Sequence, residues 1–122
     1  MIAHVDITSV KYEIDAPTKR YVMGKISRLD RYLPRHARRT VRAEVKLKEV
    51  NRANGNKYEA EVLLFVPEQM LMARDSTVNM LAAVDIVEEK LKNQLKKYKS
   101  ERKNHRGPHG LLRRLKHSMA RG

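Results

Sequence analysis

From Val41 to Lys48 the chain alternates without a break. Val41, Ala43, Val45 and Leu47 are apolar; Arg42, Glu44, Lys46 and Lys48 are charged. A period of two puts the apolar set on one face of a half-buried strand. Residues 2–9 read the same way, with Ala3, Val5 and Ile7 set against His4, Asp6 and Thr8. A third strand begins near Tyr58, and its inward set is Tyr58, Ala60, Val62, Leu64 and Val66. Between the second and third strands, NRANGN at 51–56 holds an Asn-Gly pair, a strong hairpin signal. Pro67 and Glu68 mark the next turn, and QMLMAR (69–74) predicts a short fourth strand. Leu63, Phe65 and either Met70 or Met72 fall on the opposite face, as a modest exposed patch or a protein contact.

Two stretches change to the helical period. Asp15 is placed to cap a helix whose first turn holds Pro17, where a missing N–H costs nothing. Val22, Ile26, Leu29 and Leu33 follow at spacings of four, three and four, so this helix runs to Leu33 and stops before Pro34. Arg35 to Arg39 make a basic loop. Further on, Asp75 or Ser76 is the expected cap of a long second helix. Its buried stripe is Met80, Val84, Val87, Leu91, Leu95 and Tyr98.

The order is β-α-β-β-β-α. Three hairpin-linked strands beside two helices predict an α+β fold, a four-stranded antiparallel-rich sheet with both helices packed on one face. Residues 1–103 make one domain. Past it the character changes: Gly107, Pro108 and Gly110 break any helix, and residues 104–122 carry five basic residues and no acid. Leu111, Leu112, Leu115 and Met119 allow a turn or two of amphipathic helix on binding, but the expectation is a basic, flexible tail.

Charge then narrows the function. The 122 residues hold 27 Lys plus Arg against 14 Asp plus Glu, a formal charge of +13. Seven of the basic residues lie between Lys90 and Lys103 with Glu101 as the single acid. With about 100° per residue, Lys92, Lys96, Lys99 and Lys103 line one flank of the second helix, and Lys90 and Lys97 line the other. Such a helix docks on its own domain and offers cations outward, most naturally to a polyphosphate backbone. The chain has no Cys, which removes disulfides and thiolate chemistry and suits a reducing compartment. No apolar run approaches the roughly 18 residues of a membrane span. A membrane-surface helix would want Trp or Phe on its apolar face, and the chain has no Trp and one Phe.

No constellation for turnover can be assembled. The five glycines are scattered, so there is no phosphate-cradling loop. His105 and His109 have a metal-like spacing, but Gly107 and Pro108 between them forbid the helix that would aim both at one ion. Asp85, Glu88 and Glu89 read as helix-surface acids, solvated or paired with lysines such as Lys92. A non-enzyme without cofactor, metal or small-molecule substrate is expected.

Two stretches, VKYEIDAPTKRYVMGKISRLDRYL (10–33) and NMLAAVDIVEEKLKNQLKKYK (79–99), resemble the ribosome hibernation-promoting factors. These are also called ribosome-associated inhibitors or sigma-54 modulation proteins. The first stretch matches in an Ile before a capped helix, then Lys25, Arg28, Leu29 and an aromatic at Tyr32. The second matches in Ala82-Ala83, Val84-Asp85, Lys90-Leu91, Gln94-Leu95 and Lys97. The resemblance implies a fold like that of double-stranded-RNA-binding domains. It also implies binding to the small ribosomal subunit and its rRNA, in the channel for mRNA and tRNA anticodon ends, so that idle ribosomes are blocked and preserved under stress or in stationary phase. By the resemblance the contacts come from basic side chains of the two helices: Lys25 and Arg28 on the first, Lys90 and Lys97 on the second. Lys92 and Lys96 add cations on the other flank, and Arg38, Arg39 and Arg42 extend the candidate RNA-binding set.

The chain departs from the family at two positions. Asn93 stands where relatives often carry a third cation, and Leu81 where they often carry Tyr. Long members add a C-terminal domain that pairs ribosomes, so a chain stopping at Gly122 reads as a short form. Nothing in the sequence sets the oligomeric state. The expectation is a cytoplasmic, bacterial translation inhibitor acting on the whole ribosome. The alternatives are a general double-stranded-RNA binder and a protein-interaction module that uses the Leu63/Phe65 face.

Overall fold

The computed structural model describes residues 1–50 and 55–104. Four strands, β1 (His4–Val10), β2 (Arg42–Glu49), β3 (Tyr58–Val66) and β4 (Gln69–Thr77), form one sheet in the order β1-β2-β3-β4. Two helices, α1 (Ala16–Ser27) and α2 (Met80–Asn104), complete the predicted β-α-β-β-β-α order. The β1–β2 pair is parallel because α1 carries the chain back across the sheet, and the other two pairs are antiparallel. The Asn51–Asn54 part of the predicted hairpin lies outside the described residues, as does the tail beyond Asn104.

Register explains the two faces. Val5, Ala43, Leu64 and Leu71 make one inward row; Ile7, Val45, Val62 and Ala73 make the next. Against these rows pack Val22, Ile26, Leu29 and Leu33 of the first helical segment. The complete predicted stripe of α2, from Met80 to Tyr98, joins the same core. Burying one such Leu or Val stabilises by about 1.5–3 kcal/mol, so the apolar periodicity fixes which side of each helix is left for other work.

Several boundaries differ from the sequence expectations, among them β1, which starts at His4 and leaves Ala3 exposed. The first helix does not continue to Leu33: α1 ends at Ser27 and tightens into a 3-10 turn over Arg28–Tyr32. Pro34 holds Leu33 extended. The carbonyls released there are collected by Arg38, whose Nε donates to Asp30 and Leu33, each at 3.1 Å. A second 3-10 turn, Arg35–Ala37, replaces the predicted loop. β4 runs three residues further than predicted because Tyr58 pairs with Thr77. Asp75 and Ser76 are therefore strand residues, and Asn79 caps α2, its Oδ1 accepting from the Leu81 and Ala82 amides at 2.8 and 3.2 Å. The Asp15 cap of α1 is as predicted, accepting from the Thr18 amide at 2.8 Å. Hydrogen bonding from the Thr18 side chain, followed by that from its amide, keeps the Asp15 carboxyl below its ordinary value.

Candidate nucleic-acid interface

The two helices meet across Asp85. Its Oδ1 accepts a hydrogen bond from the Tyr21 hydroxyl of α1 at 2.6 Å and lies 3.6 Å from Lys25 Nζ. Lys25 also sits over the Tyr21 ring, 5.6 Å from its centre. Lys25 finds no acid one turn away on its own helix; its counter-charge comes from the other helix. The bond to Asp85, followed by burial, pushes the Tyr21 hydroxyl up to about 12. A pKa raised in the folded state means that the bond stabilises fully below pH 10 and is lost as pH rises through about 12. One of the five tyrosines should therefore ionise near 12 in a tyrosinate absorbance titration, well apart from an ordinary tyrosine. Asp85→Ala should lower it toward the ordinary range and cost about 1 kcal/mol, kept small because Asp85 is nearly half exposed.

Along the same flank of α2, Lys92 lies 5.9 Å from the centre of the Tyr32 ring, and Arg31 lies 5.0 Å from it. Glu89 stands 3.9 Å from Lys92, as an exposed pair of little weight. Lys96 follows one turn later, exposed. Arg28 opens the 3-10 turn that carries Tyr32, and that turn packs against α2. Its guanidinium lies over Gly24, where an added methyl would be 3.8 Å from Nη2. Lys25, Arg28, Lys92 and Lys96 thus line the two helix flanks that face each other. The nearby Asp30 is buried and pairs with the Met1 amino group at 2.9 Å, so it does not neutralise them.

The opposite flank of α2 hangs over the edge of the sheet and is latched to it. Lys90 Nζ lies 2.9 Å from Asp75 and donates to the Arg74 carbonyl at 3.3 Å. Gln94 Nε2 donates to the Met72 carbonyl at 2.9 Å, and the Tyr98 hydroxyl to the Pro67 carbonyl at 3.1 Å. These residues recur every four along the helix and close an edge whose carbonyls would otherwise be open to another strand. The Lys90 contact holds the Asp75 carboxyl below its ordinary value. Lys90 is therefore engaged with the sheet, whereas Lys97 is exposed and has no ion-pair partner among the described residues.

The remaining candidates lie apart. Arg38 is committed to the carbonyls of Asp30, Leu33 and, at 3.4 Å, Arg31. Arg39 is exposed beside it. Arg42 is on the far side of the sheet, over the Phe65 ring at 4.1 Å and 3.0 Å from Glu44. Met70 and Met72 both share that face with Leu63 and Phe65, at 51% and 46% exposure. Sequence reasoning missed Arg31, and it missed Asp85 as the junction of the helices. A helical wheel carried the second signal, because Asp85 falls on the flank of Lys92 and Lys96.

Charge separates the two faces. The segments 16–32 and 80–101 carry ten cations and five acids. The outer sheet face sets Arg42, Lys46, Lys48 and Arg74 against Asp6, Glu44, Glu59 and Glu61, and so is close to neutral.

Residues 5–103 match the family described as Sigma 54 modulation protein / S30EA ribosomal protein. The chain belongs to this family. It is 34% identical over 88 residues to the ribosome hibernation promotion factor of Deinococcus radiodurans, covering 72% of this chain and 44% of the relative. With the factor of the same name from Lactococcus lactis subsp. cremoris it shares 32% over 95 residues, 78% of this chain and 49% of the relative. The chain thus spans about half the length of these curated relatives. Among family folds, the Protein Y N-terminal domain of Thermus thermophilus superposes with a TM-score of 0.65 at 26% identity, covering 80% of this chain and 99% of that one. A ribosomal subunit interface protein from Coxiella burnetii matches in fold at a TM-score of 0.63 and 22% identity, over 80% and 98% of the two chains. The family's β-α-β-β-β-α architecture is therefore the architecture of this chain.

Proposed function

We propose that this chain is a ribosome-binding hibernation factor that lays its helix layer on rRNA of the small subunit, in the channel that mRNA and tRNA occupy. The observation that carries this reading is the charge asymmetry: a helix layer with a large cation excess backed by a nearly neutral sheet face. Phosphate contacts are made by arrays of Lys and Arg, and a face where every second charge is cancelled makes a poor array. The hibernation promotion factors of Deinococcus and Lactococcus supply the ribosome as partner. Bound there, the chain would inhibit initiation and preserve idle ribosomes in the cytoplasm under stress or in stationary phase, without catalysis.

Lys25, Arg28, Lys92 and Lys96 form the central contact in this reading, with Lys97 beyond it and Arg39 at the margin. Lys90 and Arg38 act first through the fold, by latching α2 to β4 and by gathering the carbonyls after α1. Co-sedimentation with vacant ribosomes tests the proposal: near one copy per ribosome is expected, with inhibition of initiation at the same ratio. Saturable binding to any A-form duplex at equal affinity would favour the general double-stranded-RNA reading instead.

A further inference from the structure

The groove between the latched flank of α2 and the start of β4 is not part of the line of cations facing α1. Gln69, Leu71, Gln94, Lys97, Tyr98 and Glu101 line a hollow of about 240 Å³ there. We infer that this groove takes one unstacked guanine nucleotide of an RNA strand, with the base edge on Glu101 and a phosphate on Lys97. The inference rests on the reading of α2 as an RNA-facing helix and names what its outer flank would select.

Within the groove, Glu101 is the side chain that only accepts when ionised. Gln94 gives one of its two amide N–H groups to the Met72 carbonyl and keeps the other beside its accepting oxygen, and Gln69 adds a second amide. Tyr98 commits its hydroxyl proton to the Pro67 carbonyl. Glu101 is half-buried, and an ionised carboxylate accepts without donating. The edge of a ligand that meets Glu101 must bring donors, and an acceptor beside them can take an amide N–H of Gln69 or Gln94. Half-buried Leu71 gives an apolar surface for a flat ring, and exposed Lys97, one helical turn before Glu101, gives a cation for an anion attached to that ring.

Among the bases, guanine alone presents two adjacent, coplanar donors, N1–H and the N2 amino group, which match the two oxygens of one carboxylate. Adenine and cytosine each set a single amino group beside a ring acceptor, which would face the carboxylate unfavourably. Uracil flanks its one N–H with two carbonyls. An unpaired base is required, because pairing would occupy the same edge, and single-stranded loops are where proteins read RNA bases.

The test uses the full chain and fluorescence anisotropy with two short uridine oligonucleotides, one of them carrying a single central guanosine. A third carries inosine there, which lacks the N2 amino group. Wild type should prefer the guanosine strand over uridine alone by roughly fivefold or more, with inosine between them. Glu101→Gln should bring that ratio close to one while circular dichroism stays native. Equal affinity of wild type for the guanosine and uridine strands would overturn the inference, as would an undiminished preference in Glu101→Gln. Ribosome co-sedimentation keeps the two readings separate. A wild type that pellets with ribosomes but shows no preference loses the groove alone; one that prefers guanosine but does not pellet loses the ribosome reading alone.

Discussion

Arg28→Glu combined with Lys96→Glu is expected to weaken binding to vacant ribosomes by about a hundredfold or more at physiological salt, while the domain stays folded. Both side chains are exposed and have no ion-pair partner among the described residues, so the fold loses little. Each reversal removes a charge-assisted contact worth about 1.5–3 kcal/mol and adds repulsion from phosphate. Two such losses exceed roughly 3 kcal/mol, which is about two powers of ten in affinity. Lys90 is a poorer choice for this experiment although it lies within the family's motif. A glutamate there would face Asp75, whose carboxylate now sits 2.9 Å from the Lys90 ammonium, and would unlatch α2 from β4. Lost binding in that variant would mix a missing contact with a damaged fold. Wild-type binding by the Arg28/Lys96 double variant, with native circular dichroism, would remove the helix layer from the interface.

Raising the salt concentration should have a still larger effect on the unmodified chain. If about 6–10 phosphates are neutralised, affinity for ribosomes should fall about 10³- to 10⁵-fold between roughly 50 and 200 mM salt. The two faces of the molecule make this measurement discriminating. Binding through the helix layer releases counterions from phosphate. Binding through Leu63, Phe65, Met70 and Met72 on the nearly neutral sheet face would bury apolar surface and respond weakly to salt. A filter-binding or sedimentation series with a shallow slope would therefore transfer the interface to the sheet face and favour the protein-interaction reading.

The parts of the fold governed by one period were legible in the chain. Every apolar residue of the stripe from Met80 to Tyr98 is buried, and the inward set of β3 points into the core as its alternation requires. Boundaries were harder where several residues carry the same local signal. Asp75, Ser76 and Asn79 all favour helix caps, and the choice of Asn79 follows from β4 pairing with β3 as far as Thr77, which a local reading does not contain. The end of α1 depends likewise on Arg38 reaching back to the carbonyls of Asp30 and Leu33.

For the candidate site, a helical wheel shows which cations share a flank but not what they meet. Lys25 and Asp85 belong to different helices, and Lys90 and Asp75 to a helix and a strand. Those contacts divide a list of nine cations into an array between the two helices, a latch on β4, an internal brace at Arg38, a residue behind the sheet at Arg42, and the exposed pair Lys97 and Arg39. Sequence spacing sorts the helix cations by flank but does not show which of the nine are already engaged within the fold. Tertiary pairing makes some of them structural before any RNA arrives.

The most direct measurement of the central claim is co-sedimentation of the wild-type chain with two ribosome samples, one vacant and one filled with mRNA and tRNA. Occupancy of the decoding channel predicts near one copy on each vacant ribosome and little on the filled ones. Equal binding to both samples would contradict it, because a protein that shares the channel with mRNA and tRNA cannot be indifferent to them.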